Sequence, residues 1–230
     1  VRVDECGIEV ATVFKEVLPQ CASLTHLSML DIETGDMEDL RHNTTPFPVT
    51  HLRLSISGEA NINWILAQCQ RINVLEIKTA DIPIRDAYIS LMTMPYLKEL
   101  HYTVGSNYRV NTRWPLPDNT TTEPGLEKCN VRGDISFTGD LLGGIIRKAS
   151  KSLRQLSMLD CTSMDTTLAQ LVIEPGLPCL EVLNIDKMIV FEEWHIHTII
   201  SSCPTIQELS MSWNSEVTDS VLSDLKTVTK

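Results

Sequence analysis

The chain has 230 residues, 43% of them apolar and 21% charged, and its 30 Asp and Glu against 19 Lys and Arg leave a net charge of −11. That length buries a sizeable core, and the composition excludes a disordered or fibrous chain. The acidity argues against binding nucleic acid or an anionic membrane surface, which runs on Lys and Arg, and no apolar run approaches the ~20 residues that span a bilayer.

In chain order, residues 1–20 come first. Val10, Val13, Phe14, Val17 and Leu18 recur at spacings of three and four, which predicts a helix from about Gly7 to Leu18. Segments 1–20 therefore read as an N-terminal capping helix or a partial repeat. From residue 21 onward a single pattern returns, apolar-x-x-apolar-x-apolar. Its first position falls at Leu24, Val49, Ile72, Leu97, Leu126, Leu153, Leu180 and Ile206, in steps of 25, 23, 25, 29, 27, 27 and 26 residues. The second and third positions are Leu27 and Met29, Leu52 and Leu54, Leu75 and Ile77, Leu100 and Tyr102, Cys129 and Val131, Leu156 and Met158, Leu183 and Ile185, then Leu209 and Met211. About eight repeats result. The period-2 half of each unit predicts a strand, and the remainder must carry the chain back to start the next strand in parallel.

Several returns carry helical spacing: Leu141, Leu142, Ile145 and Ile146; Leu168, Leu171 and Val172; Trp194, Ile199 and Ile200; Val221, Leu222 and Leu225. Asp140, Asp165 and Asp219 stand where helix N-caps are expected, and Pro95, Pro178 and Pro204 follow helix ends. The return at 103–125 is different. It holds Gly105, Pro115, Pro117 and Pro124 with no helical period, and it predicts a long irregular loop bearing Tyr108, Arg109, Arg113 and Trp114. Loops that interrupt stacked repeats often carry partner contacts; the alternative is an insertion that only covers the convex face.

These residues resemble a known family. Leu-x-x-Leu-x-Leu-x-x-(Asn/Cys) at this period is the pattern of leucine-rich repeats. The last unit is the closest match: Cys203-Pro204-x-Ile206-x-x-Leu209-x-Met211-x-x-Asn214, followed by Val217-Thr218-Asp219-x-x-Leu222-x-x-Leu225. It is similar to the cysteine-containing subclass found in F-box/leucine-rich-repeat proteins. Cys21, Cys69 and Cys203 each precede the first apolar position by three residues, and Cys161 holds the Asn/Cys position. Elsewhere that position holds Ile32, Ser57, Ala80, Gly105, Asp134 and Met188. The resemblance covers about 21–230. It implies an α/β fold, a single leucine-rich-repeat solenoid or horseshoe over 1–230, with a parallel sheet on the concave face and helices or loops on the convex one. The start at Val1 reads as a fragment of a longer protein.

In such a solenoid the residues between the apolar strand positions face the concave surface. Units two to five then bring His51, Arg53, Glu76, Lys78, Glu99, His101, Lys128, Asn130 and Arg132 to that face. A mildly basic strip of this kind suits an acidic or phosphorylated peptide, through paired Arg contacts. The plainer reading is a solvated face in which Glu76 and Glu99 partner the basic groups, each exposed pair worth ~0–1 kcal/mol.

Catalytic patterns are missing. There is no Gly-rich phosphate loop, His-Glu-x-x-His or Gly-x-Ser-x-Gly motif, and no Cys-x-x-Cys pair. His195 and His197, two apart on a predicted helix, point away from each other, so no metal and no cofactor is expected. The seven cysteines suit reduced thiols and a cytoplasmic or nuclear compartment. Two glycosylation triplets, at Asn43 and Asn119, point the other way, but such triplets arise by chance about once per hundred residues. The expected function is non-enzymatic protein recognition: the substrate-binding repeat region of an F-box-type ubiquitin ligase subunit, with a Skp1-like adaptor as partner only if an F-box lies outside this chain. The alternatives are another intracellular leucine-rich-repeat scaffold or sensor, and an extracellular recognition domain.

Overall fold

The computed structural model describes residues 2–4, 12–33, 46–57, 62–79, 91, 94–105, 125–133, 139–161, 176–188, 191–214, 217–221 and 223. The described residues fall into two compact units, the first within 2–105 and the second within 125–223. Each is an α/β arrangement built on a parallel sheet.

The first unit carries β1 (Arg2–Asp4), β2 (His26–Glu33), β3 (His51–Ser57), β4 (Val74–Thr79) and β5 (Glu99–Val104), hydrogen-bonded in sequence order. All pairs are parallel. The register joins His26 to His51, His51 to Val74 and Val74 to Glu99. Those offsets of 25, 23 and 25 residues are the sequence steps, so the apolar positions stack on their counterparts. Leu27, Met29, Leu52, Leu54, Leu75, Ile77, Leu100 and Tyr102 are all buried. β1 pairs with β2 through Arg2 and Ser28, which places a strand ahead of the first apolar repeat. Between them Val13–Val17 makes a π-helical turn and Leu18–Gln20 a 3-10 turn, with Phe14 buried edge-on against Trp64, ring centroids 5.0 Å apart. Trp64 belongs to α1 (Ile62–Gln68), a return whose seven residues are too few to reveal a 3.6-residue period in the sequence.

The second unit carries β6 (Lys128–Arg132), β7 (Gln155–Leu159), β8 (Val182–Asn184) and β9 (Glu208–Ser210), again parallel and in sequence order. Its register offsets of 27, 27 and 26 also equal the sequence steps. α2 (Gly139–Ala149) returns β6 to β7, and α3 (Glu193–Ser202) returns β8 to β9. Asp140, expected as an N-cap, is the second residue of α2. Asp219 likewise lies within a helical turn, and Thr218 does the capping: its Oγ1 accepts the Ser220 amide at 3.3 Å. Asp165, Leu168, Leu171, Val172 and Leu225 lie outside the described residues.

One backbone device recurs at each junction. In the first unit the carbonyls of Thr25, Thr50 and Asn73, and in the second those of Glu127, Arg154 and Glu181, each accept two consecutive amides from the following repeat at 2.7–3.0 Å. Both carbonyl lone pairs are thereby used, which starts the next strand at a fixed offset. The cysteine three residues before the apolar segment has a matching task. Leu24, Ile72 and Ile206 donate their amides to Cys21, Cys69 and Cys203 carbonyls at 2.9, 3.3 and 3.2 Å, and Cys69 and Cys203 are buried. A small apolar residue suits a turn pressed into the core.

The Asn/Cys position also acquires a physical role in the second unit. Cys161 Sγ lies 3.4 Å from the Leu159 carbonyl and 3.9 Å from that of Val131, and Asn214 Nδ2 donates at 2.9 Å to the Ile185 carbonyl, the equivalent of Val131 in its own preceding repeat. Met188, buried at the intermediate rung, has no donor to offer. Just before this position each second-unit repeat has a left-handed residue: Gly133 (φ 117°), Asp160 (61°), Lys187 (60°) and Trp213 (64°). The first unit's β2, β3, β4 and β5 continue as strand through the equivalent place.

Candidate functional site

The outer faces of β2 to β5 carry the candidate site. With inner positions apolar and strand residues alternating in direction, the register aligns the outer residues in lateral rows. One row runs His26, His51, Val74, Glu99; the next runs Ser28, Arg53, Glu76, His101; the third joins Ser55, Lys78 and Thr103. Leu30 shares the parity of His26 and Ser28 and ends the third row, and beyond Met29 the β2–β3 register shifts by one residue.

Between these rows lies a cavity of about 240 Å³ lined by Leu30, Arg53, Ser55, Glu76, Lys78, His101 and Thr103, with buried Leu54 and Ile77 behind. That is below the ~300–1,000 Å³ of pockets that enclose small molecules. It suits one projecting group of a larger ligand. Arg53 Nε lies 3.4 Å from Glu76 Oε2, and the two side chains are 61% and 45% exposed. Such an exposed pair contributes ~0–1 kcal/mol, so the guanidinium can be redirected at little cost to a ligand carboxylate or phosphate. His101 Nε2 lies 3.7 Å from Glu99 Oε2 on its own strand. Lys78 is exposed.

Of the expected site residues, Arg53, Glu76, Lys78 and His101 thus share one cavity, and His51 and Glu99 occupy the adjoining row. Lys128, Asn130 and Arg132 belong to the second unit, on alternate positions of β6 facing Gln155, Ser157 and Leu159 of β7. Tyr108, Arg109, Arg113 and Trp114 lie outside the described residues. Leu30, Ser55 and Thr103 are cavity residues that charge gave no reason to select. Strand parity was the available signal.

A second polar cluster in the second unit is structural. Glu193 Oε1 on α3 accepts the hydroxyls of Thr218, at 2.6 Å, and Ser220, and His197 Nε2 lies 3.5 Å from the same oxygen and 3.1 Å from Ser220 Oγ. These bonds, the Ser220 and Thr218 hydroxyls foremost, hold the Glu193 carboxyl below its usual range. A Ser-His-Glu relay needs the acid on the ring nitrogen opposite the serine, and here both partners approach Nε2. The cluster ties α3 to the following helical turn.

Among the described residues no group of three or more His, Cys, Asp or Glu is placed to hold a metal ion, and no helix is long and apolar enough to cross a membrane. No protein-family model matches the chain, and no curated protein matches it.

Proposed function

We propose that the chain is a non-enzymatic leucine-rich-repeat recognition module whose open sheet face binds an acidic or phosphorylated peptide. The observation that carries this reading is the pairing of a repeat-true parallel register with a small polar cavity flanked by Arg53 and Lys78 on the outer face of β2 to β5. An extended peptide crossing that face presents one anionic side chain to the cavity, where the planar Arg53 fork and the Lys78 ammonium meet it. The chain's overall acidity repels polyanions at long range and leaves a short, local anion as the fitting ligand.

The test uses a degenerate phosphopeptide and acidic-peptide library on the whole chain. Selected peptides are expected to lose at least tenfold affinity, about 1.4 kcal/mol, toward an Arg53→Glu/Lys78→Glu variant. Unchanged affinity in that variant contradicts the site. The pattern Cys203-Pro204-x-Ile206 with Val217-Thr218-Asp219 favours the substrate-binding region of an F-box-type ubiquitin ligase subunit within this reading. Co-precipitation of a Skp1-like adaptor with the full-length natural protein supports that version, and its failure in a competent extract counts against it.

A further inference from the structure

The residues lining the cavity on β2 to β5 are polar on the outer face except at one place. Leu54 and Ile77 belong to the buried core behind it, and Leu30 is the one apolar lining side chain on the outer face, half-buried at the β2 end of the third row. That row runs Leu30, Ser55, Lys78 and Thr103, one residue from each successive strand. Crossing the sheet along it, a ligand meets an apolar surface first and a cation two strands later. Arg53, in the adjoining row, lines the same cavity.

The spacing of the row sets the spacing of a ligand. Neighbouring strands lie ~4.8 Å apart, so the midpoint between Ser55 and Lys78 is ~7 Å from Leu30. An extended peptide laid across the strands turns every second side chain toward the sheet, and those side chains are ~6.7 Å apart. The two lengths agree. A peptide side chain resting on Leu30 therefore sets the residue two positions away between the Ser55 hydroxyl and the Lys78 ammonium, beside the Arg53 fork. The peptide residue between these two points to solvent, where it meets neither group.

We propose that Leu30 is a specificity-determining residue, and that this face selects peptides with an apolar side chain two positions from the anionic one. The inference rests on the peptide-binding reading above and adds a spacing and a second anchor to it. The anchor has a physical task. Exposed cations such as Arg53 and Lys78 give an anion little net energy in salt, whereas apolar contact is not screened. Covering the part of Leu30 that is still open to solvent is worth about fivefold in affinity.

Fluorescence anisotropy on the whole chain tests this, with peptides of alanine and serine that carry one phosphoserine. Leucine two positions from the phosphoserine, on the side that the peptide direction selects, is expected to tighten binding about fivefold over alanine. Leucine one position away should give no gain. The gain should vanish in Leu30→Ser and survive in Leu30→Met, while both variants still require the phosphate. Phosphate-dependent binding with no gain at two positions, an equal gain at one position, or a gain that persists in Leu30→Ser overturns the role of Leu30 and leaves the anion site standing. Absence of binding, or binding indifferent to Arg53→Glu/Lys78→Glu, overturns the peptide reading and this inference together.

Discussion

At Cys69 and Cys129, burial pushes each thiol up to about 12, and at Cys203 to about 11. A thiol that keeps its proton is a poor nucleophile, so these residues act as small packing groups. Cys21 and Cys179 are half-exposed. With brief iodoacetamide treatment at pH 7.5, peptide mass mapping should find Cys21 and Cys179 alkylated, and Cys69, Cys129 and Cys203 modified only after unfolding. Early modification of Cys69 contradicts the core placement. The repeat offset put Cys21, Cys69 and Cys203 at the same turn, three residues before the first apolar position, but only the neighbouring structure buries Cys69 and Cys203 and leaves Cys21 half-exposed. Ser157 was not legible: alternation assigns it to the outer face, yet it is buried on β7 between its neighbours.

At the scale of elements, α3 shows a local solution that pattern reading missed. Glu192 caps it, and His195 completes a capping box by accepting the Glu192 amide on Nδ1 at 3.1 Å. The ring is buried, with Trp194 and Phe191 against it, and Nε2 has no hydrogen-bond partner among the described residues. Desolvation lowers its pKa, and the Glu192 charge only partly offsets this. The unfolded chain therefore takes up that proton more readily than the folded one. The stability due to neutral His195 is complete above the ordinary histidine value of ~6.5 and is lost as pH falls through it. Urea midpoints should drop between pH 7.5 and 5.5, and His195→Gln, which keeps a capping acceptor but does not titrate, should flatten that drop. An undiminished slope in the variant assigns it elsewhere.

Across the whole molecule, stability should follow position in the stack, because a repeat buries its apolar faces only against neighbours. In the second unit β7 has a paired strand on each side, and Leu153, Leu156 and Met158 are fully buried. Ile206, Leu209 and Met211 around β9 are only half-buried, and Trp213 beyond them is 83% exposed. Amide exchange read by mass spectrometry should therefore be faster in Glu208–Ser210 than in Gln155–Leu159. Equal protection of the two strands contradicts local, neighbour-dependent stability.

By itself the sequence determined the strand positions, their parallel order of return and the inward-facing residues. Alternation and a near-constant step are local rules, and hydrogen-bond register must obey them or expose every apolar side chain. Tertiary structure alone decided the division into two units, the register shift in β2 after Met29, and the left-handed residues that follow the strands of the second unit. It also decided which charges meet. Arg53, Lys78 and His101 share a cavity because three strands of different sequence place them in adjoining rows, a relation among distant residues that no single segment encodes.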